Sequence, residues 1–284
     1  MRLPPHARPR LGVRCGDANR GAASGIGHEM TGTSESTTGR RGRARQTLGF
    51  AALCIALVGV IAVSVAGARD ATVLGKTKRT PKPACPNRQH EENCEVVGSA
   101  TGFALVANGE KQPFKVRRNG NIVAWAIDLS KPTKDQRNGV GKLFRSERFG
   151  KAPTARLAVI KKQKNKRRKY KLVRQSPVVT LSSALGEKQL ITLDKPLRVR
   201  KGQVVALTYP TWAPNFAHSG LSSKRNRWRA SRARGECAPK SGSARDIKAF
   251  VRNSRPHQKL GSTRGYGCDY RGARLLYWAY YVRG

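Results

Sequence analysis

The chain has 284 residues, with 57 Lys and Arg against 16 Asp and Glu, a formal net charge of +41. A charge that large cannot decide the fold, but it turns the chain away from cationic partners and toward polyanions. Those are anionic cell-wall polymers, anionic lipid surfaces or nucleic acid, and the bland alternative is a generally basic chain with no specific ligand.

Residues 1–46 are rich in Gly, Arg, Ser and Thr and poor in large apolar residues, which predicts a disordered basic tail. Met30 offers a second start with a more ordinary basic lead-in. Residues 47–68 follow, holding the run LGFAALCIALVGVIAVSVAGA from Leu48 to Ala68, with Arg40, Arg41, Arg43 and Arg45 before it. Twenty-one residues make about 31 Å of helix, enough for a bilayer core of ~30 Å. The same layout describes a leader peptide, and Ala66-Gly67-Ala68 is a small-x-small pattern for cleavage. Both readings stay open: a membrane anchor through residues 48–68, or secretion after cleavage near Ala68. Arg69, Lys76, Lys78, Arg79 and Lys82 place positive charge beyond the run as well, so charge alone barely orients it.

Cysteines break that tie. Cys15 lies in the tail and Cys54 in the run, leaving Cys85, Cys94, Cys237 and Cys268. An even number beyond an export signal predicts two disulfides and a domain outside the cell. Of three possible pairings the local one, Cys85–Cys94 and Cys237–Cys268, is preferred, contributing about 2.7 and 3.7 kcal/mol by loop entropy. A zinc site is the rival, and no C-x-x-C pair supports it.

Residues 69–84 carry prolines without apolar periodicity and read as a stalk. Residues 85–284 suffice for one large all-β domain, with strand alternation common and helical periodicity nearly absent. Strands are predicted around Phe103–Ala107, Gly120–Leu129, Ala155–Lys162, Lys169–Gln175, Val178–Ser182, Lys188–Asp194 and Asp246–Arg252. Val123, Trp125, Ile127 and Leu129 share a face, so Trp125 is expected in the core. Leu197–Arg200, Lys201-Gly202 and Gln203–Tyr209 read as a hairpin. The last strand, Arg274–Val282, is apolar on both faces and belongs mid-sheet or under covering loops. Many short strands in an exported chain suit a two-sheet antiparallel sandwich of jelly-roll kind. The absence of an internal repeat argues against a propeller or β-helix.

The phrases PLRVRKGQVVALTYP and GNIVAWAIDL resemble uncharacterised exported β-sandwich proteins of high-GC Gram-positive bacteria, over roughly residues 100–215. The resemblance implies a jelly-roll sandwich similar to carbohydrate-binding modules and carries over no functional residue.

Two basic clusters stand out. Lys161–Lys171, KKQKNKRRKYK, contains Lys166, Arg167, Arg168 and Lys169 and reads as a hairpin tip in solvent. In Lys224–Arg234, KRNRWRASRAR, Trp228 sits among Arg225, Arg227, Arg229 and Arg232, a mixture suited to stacking and charge pairing with an anionic polymer. The competing reading of both is solvated loop, with Trp228 tucked into the domain. Trp212 and Phe216, in a proline-stiffened segment, form either a sugar-stacking platform or a cap on the core.

Enzyme signatures are scarce. G-x-S-x-G, H-E-x-x-H and P-loop motifs are missing, no metal or cofactor motif is present, and no catalytic residue is nominated. His90, His218 and His257 are scattered and read as surface residues. Gly265-Tyr266-Gly267-Cys268 with Arg271 resembles the S-x-G-C-x-R stretch of L,D-transpeptidases, which requires a free thiol at Cys268. A glycosidase would need two converging carboxylates, and none can be paired from sequence. The expectation is a non-enzymatic module binding an anionic envelope polymer or glycan, with nucleic acid a non-specific polyanion only. The alternatives are a cell-wall-active enzyme of transpeptidase or glycosidase type, or a nucleic-acid-binding protein.

Overall fold

The structure is a computed structural model and describes residues 71–83, 96–138, 152–218, 220–241 and 243–284. The tail, the apolar run 48–68, Cys85, Cys94 and His90 lie outside the described residues. Among the described residues no helix is long and apolar enough to cross a membrane.

The domain is all-β, built from antiparallel sheets. Sheet A places β1 (Ala71–Leu74), β15 (Tyr277–Arg283), β4 (Gly120–Asp128) and β8 (Lys188–Val199) side by side in that order. Sheet B runs β12 (Thr263–Gly265), β6 (Lys169–Gln175), β5 (Thr154–Lys162), β9 (Val204–Ala213), β2 (Val97–Ala107), β11 (Arg227–Ala230) and β13 (Cys268–Arg271). Short strands β3 (Glu110–Lys111) and β7 (Val179–Thr180) flank β2 and β5, and β10 (Phe216–Ala217) pairs with β14 (Arg274–Leu275).

One core joins the two sheets. Side chains alternate across a strand, so each sheet turns one face inward. Ile122, Trp125 and Ile127 of β4 and Tyr277 and Tyr281 of β15 meet Leu157 and Val159 of β5 and Val205, Leu207 and Tyr209 of β9. Trp125 is fully buried, as its pattern predicts. The Phe114 ring stacks on Tyr277 at 4.1 Å. Burying each large side chain contributes roughly 1.5–3 kcal/mol. The arrangement is sandwich-like, and β15 lies mid-sheet between β1 and β4, as its two apolar faces require.

Sheet B carries a second apolar layer on its outer face. Phe103, Ala158, Ile160, Tyr170, Leu172 and Ala206 are covered there by Tyr266. Nearby, α1 (Ala244–Asn253) sets Val251, Ile247 and Phe250 against Trp212.

Four sequence readings need correction. The segment read as a strand at Asp246–Arg252 is α1: Ser243 accepts a hydrogen bond from the Asp246 N–H as its cap, and Ile247, Phe250 and Val251 fall at helical spacing. Leu197–Tyr209 is not a hairpin. β8 pairs with β4 and β9 with β5 and β2, so the turn at Lys201-Gly202 carries the chain from one sheet to the other. The supposed stalk is part of the domain: Ala71–Leu74 pairs with Ala279–Val282, and the Gly75 N–H donates to the Pro113 carbonyl. Val178–Ser182 yields only the two-residue β7 before a 3-10 turn at Ser182–Ala184.

Candidate anion-binding cleft

β5 and β6 form the predicted hairpin, but its basic tip does not simply project into water. Arg168 adopts a left-handed backbone at φ 59°, a conformation uncommon outside glycine. Two contacts hold it there: its carbonyl accepts the Tyr266 N–H at 2.8 Å, and its guanidinium donates to the Gly267 carbonyl at 2.9 Å. The tip is thereby fastened to the 265–267 segment that crosses sheet B.

The second cluster reaches the same segment from the opposite side. The Gly267 N–H donates to the Arg232 carbonyl at 2.7 Å. A Cβ at Gly267 would stand 2.4 Å from the Arg234 backbone nitrogen, so only glycine permits this approach. Cys268 follows at once and is bonded to Cys237, which ties the end of the floor to the chain just beyond the second cluster. The result is a cleft of about 380 Å³ lined by Arg167, Arg168, Lys169, Arg232, Arg234 and the Gly265–Gly267 floor, with Ala233 at its side. That volume lies within the ~300–1,000 Å³ typical of ligand sites.

Among the described residues five cations and no carboxylate line it, but the five are not equivalent. Arg232 is buried and donates to Ser254 Oγ, the Tyr270 hydroxyl and the Gly98 carbonyl. Arg168 shares Asp269 with Arg229, whose Nε and Nη2 meet the two carboxylate oxygens at 2.7 and 3.0 Å. Burial alone would raise the Asp269 carboxyl. Hydrogen bonding from Arg229 and the charges of Arg229, Arg168 and Arg227 outweigh it and hold the group below the usual carboxylate range. Arg167, Lys169 and Arg234 are exposed at the cleft and have no ion pair or side-chain hydrogen bond among the described residues, so they are the cations available to a ligand.

The other candidate residues fall elsewhere. Lys166 is exposed on the tip but does not line the cleft. Arg225 donates to the Asn108 carbonyl beside the β2–β3 turn, and Arg227 lies opposite Val106 and Arg271. The three aromatic candidates do not form a surface platform. Trp228 is 3 % exposed and stacks on Tyr270 at 4.4 Å, while Trp212 is 2 % and Phe216 8 % exposed. Strand β11 turns Trp228 and Ala230 inward and Arg227 and Arg229 outward.

Cys237–Cys268 is the predicted local pair, with the Cα atoms 5.3 Å apart. Bonded, Cys268 has no thiol for acyl transfer and neither cysteine can ligate zinc. His257 corrects the surface reading of the histidines. It is fully buried, with Nδ1 3.2 Å from the Tyr266 hydroxyl and Nε2 3.0 Å from the Ser262 carbonyl. Arg234 and the Gly265–Gly267 floor were within stretches the sequence singled out, but their joint role emerges only when the two clusters meet. No family model, no curated protein and no solved structure matches the chain.

Proposed function

We propose that the chain is a binding module on a jelly roll, set outside the cell through residues 48–68, whose cleft holds an anionic polymer of the cell envelope. The strand order supports the architecture. In an eight-strand jelly roll the sheets read first-eighth-third-sixth and second-seventh-fourth-fifth. Here β1-β15-β4-β8 and β2-β9-β5-β6 follow that order, with β11, β13 and β12 added at the edges of sheet B. The disulfide supports an oxidising compartment.

The observation that carries the ligand class is the convergence of two basic clusters, some 65 residues apart in sequence, on one cleft with no carboxylate in its lining among the described residues. Charge-assisted bonds from Arg167, Lys169 and Arg234 suit phosphate or carboxylate groups along a chain. The test is competition for the full chain between an isolated anionic wall polymer and a neutral glycan. Only the anionic polymer is expected to compete. The combined Arg167→Gln, Lys169→Gln, Arg234→Gln variant should lose binding. Gly265→Leu should weaken it too without any change of charge, because Gly265 lines the cleft and a side chain there meets nothing that would force the fold to shift. Full competition by neutral glycan, or unchanged binding in both variants, sinks the reading.

A further inference from the structure

A second basic surface lies at one end of sheet A, the end at which the β5–β6 tip also leaves sheet B, since Ile160 pairs with Val204 just beyond the Lys201-Gly202 turn. Gly120 pairs with Val199 and Arg283, and Asn121 with Arg198 and Val282, so the start of β4 and the ends of β8 and β15 finish level. Ala71, which opens β1, stands opposite Val282 in the same row. The turns beyond are stitched together. The Lys201 N–H donates to Asn119 Oδ1 at 2.9 Å, the Gly202 N–H to the Val116 carbonyl at 2.9 Å, and the Tyr281 hydroxyl to the Arg118 and Asn119 carbonyls at 2.9 and 2.8 Å. The Gly284 N–H donates to the Asn119 carbonyl.

These bonds set Arg117, Arg118, Arg198, Arg200, Lys201 and Arg283 on one end, all exposed. Neither turn segment, 115–121 or 197–204, contains Asp or Glu. Four strands at ~4.8 Å spacing make a broad end rather than a slot. A broad surface of fixed cations suits a broad anionic surface better than a single polymer strand. The chain also comes in at this end: β1 opens at Ala71, three residues after the apolar run closes at Ala68.

We propose that this end of sheet A docks on an anionic lipid bilayer. The proposal rests on reading residues 48–68 as a membrane segment, which would hold the six cations within a few residues of the headgroups. Attraction of clustered Lys and Arg to anionic headgroups acts over about a Debye length and so is local to this end.

The experiment uses the full chain in lipid nanodiscs, with a fluorophore ligated to Gly284 and a quencher on the lipid headgroups. Discs contain phosphatidylcholine alone or mixed with phosphatidylglycerol. Quenching is expected to be stronger with phosphatidylglycerol than with phosphatidylcholine alone, where only the tether keeps this end near the headgroups, and the excess should be lost in high salt. It should also be lost in the Arg117→Gln, Arg118→Gln, Arg200→Gln, Lys201→Gln variant and kept in the cleft variant Arg167→Gln, Lys169→Gln, Arg234→Gln. Equal quenching in the two kinds of disc overturns the docking surface, as does an unaltered signal in the four-residue variant. A chain that does not stay with the discs overturns the membrane reading beneath it. If the four-residue variant does not fold, the lipid and salt comparisons on the unaltered chain still decide. Polymer binding by the four-residue variant separates this surface from the cleft: its retention leaves the cleft reading standing whatever the lipid result.

Discussion

Asp269 shows how one residue sets up a site it does not line. It neutralises Arg229 and anchors Arg168, and so leaves the neighbouring cations to the cleft. Asp269→Asn is expected to cost about 1–2 kcal/mol, since bonds to charged groups contribute roughly 1.5–3 kcal/mol each and these are partly exposed. Its folded pKa is lowered. The contribution is therefore present above the ordinary carboxylate value of about 4 and is lost as pH falls through the lowered value. Unfolding of parent and variant followed against pH should show the gap close only in acid. His257 works at higher pH. Burial, the largest cause, and the charge of Arg264 lower its pKa against the opposing bond to Ser262. Its neutral form therefore supports the fold fully above about 6.5, and that support fades as pH falls. His257→Gln should flatten the stability slope below that pH, and an unchanged slope would rule the histidine out. At this scale the sequence was legible where period two applied. Trp125 followed from it, and Arg-Trp-Arg-Ala in β11 is itself an alternation that buries Trp228. Reading that run as a stacking and charge-pairing surface put the ring outside, whereas the competing loop reading had the ring tucked in and missed only the strand.

Elements were legible where their signals are local. The paired β5 and β6, the two-faced β15 and the Cys237–Cys268 bridge all follow from short stretches. What sequence could not supply is which sheet a strand joins. β8 and β9 are consecutive and closely joined, yet they belong to different sheets because each has its own inward face to bury. The segment 71–79 was misread for a related reason: its anchors lie about 200 residues away. Arg274, 3 % exposed, donates to Thr77 Oγ1 and to the Gly75 and Arg79 carbonyls. Burial lowers its pKa to about 10, with the charge of Glu110 pulling the other way, so it stays cationic at neutral pH. Arg274→Met should release this clamp. Limited trypsin digestion is expected to cut faster after Lys76, Lys78 and Arg79 in the variant, with the rest of the domain intact. Equal rates would mean that pairing of β1 with β15 alone holds the segment.

For the whole molecule the open question is whether polyanion binding reflects the net charge or the cleft. Of the 57 basic residues nine lie in the first 68, together with three acids, leaving 48 basic and 13 acidic residues beyond. Such a field attracts any polyanion, and removing three charges from a net of +41 barely alters it. A local site behaves differently. If Arg167, Lys169 and Arg234 each make a charge-assisted contact, their loss should weaken binding at least about tenfold, since each is worth roughly 1.5–3 kcal/mol and 1.4 kcal/mol is tenfold. Arg117→Gln, Arg118→Gln, Lys201→Gln removes the same charge from the end of sheet A, outside the cleft lining, and serves as the matched control. Both variants should be titrated against the anionic polymer in rising salt. Long-range attraction fades as the Debye length falls from ~10 Å at 0.1 M to ~3 Å at 1 M, whereas desolvated contacts inside a cleft are screened less. The control should therefore follow the parent curve closely. The cleft variant should start lower and converge on the parent only where binding itself vanishes. Trp228→Ala is uninformative here, because removing a buried, stacked ring costs roughly 3–5 kcal/mol of fold stability and would act through unfolding. Equal losses in the two charge variants would assign binding to the overall charge and leave the cleft without a ligand.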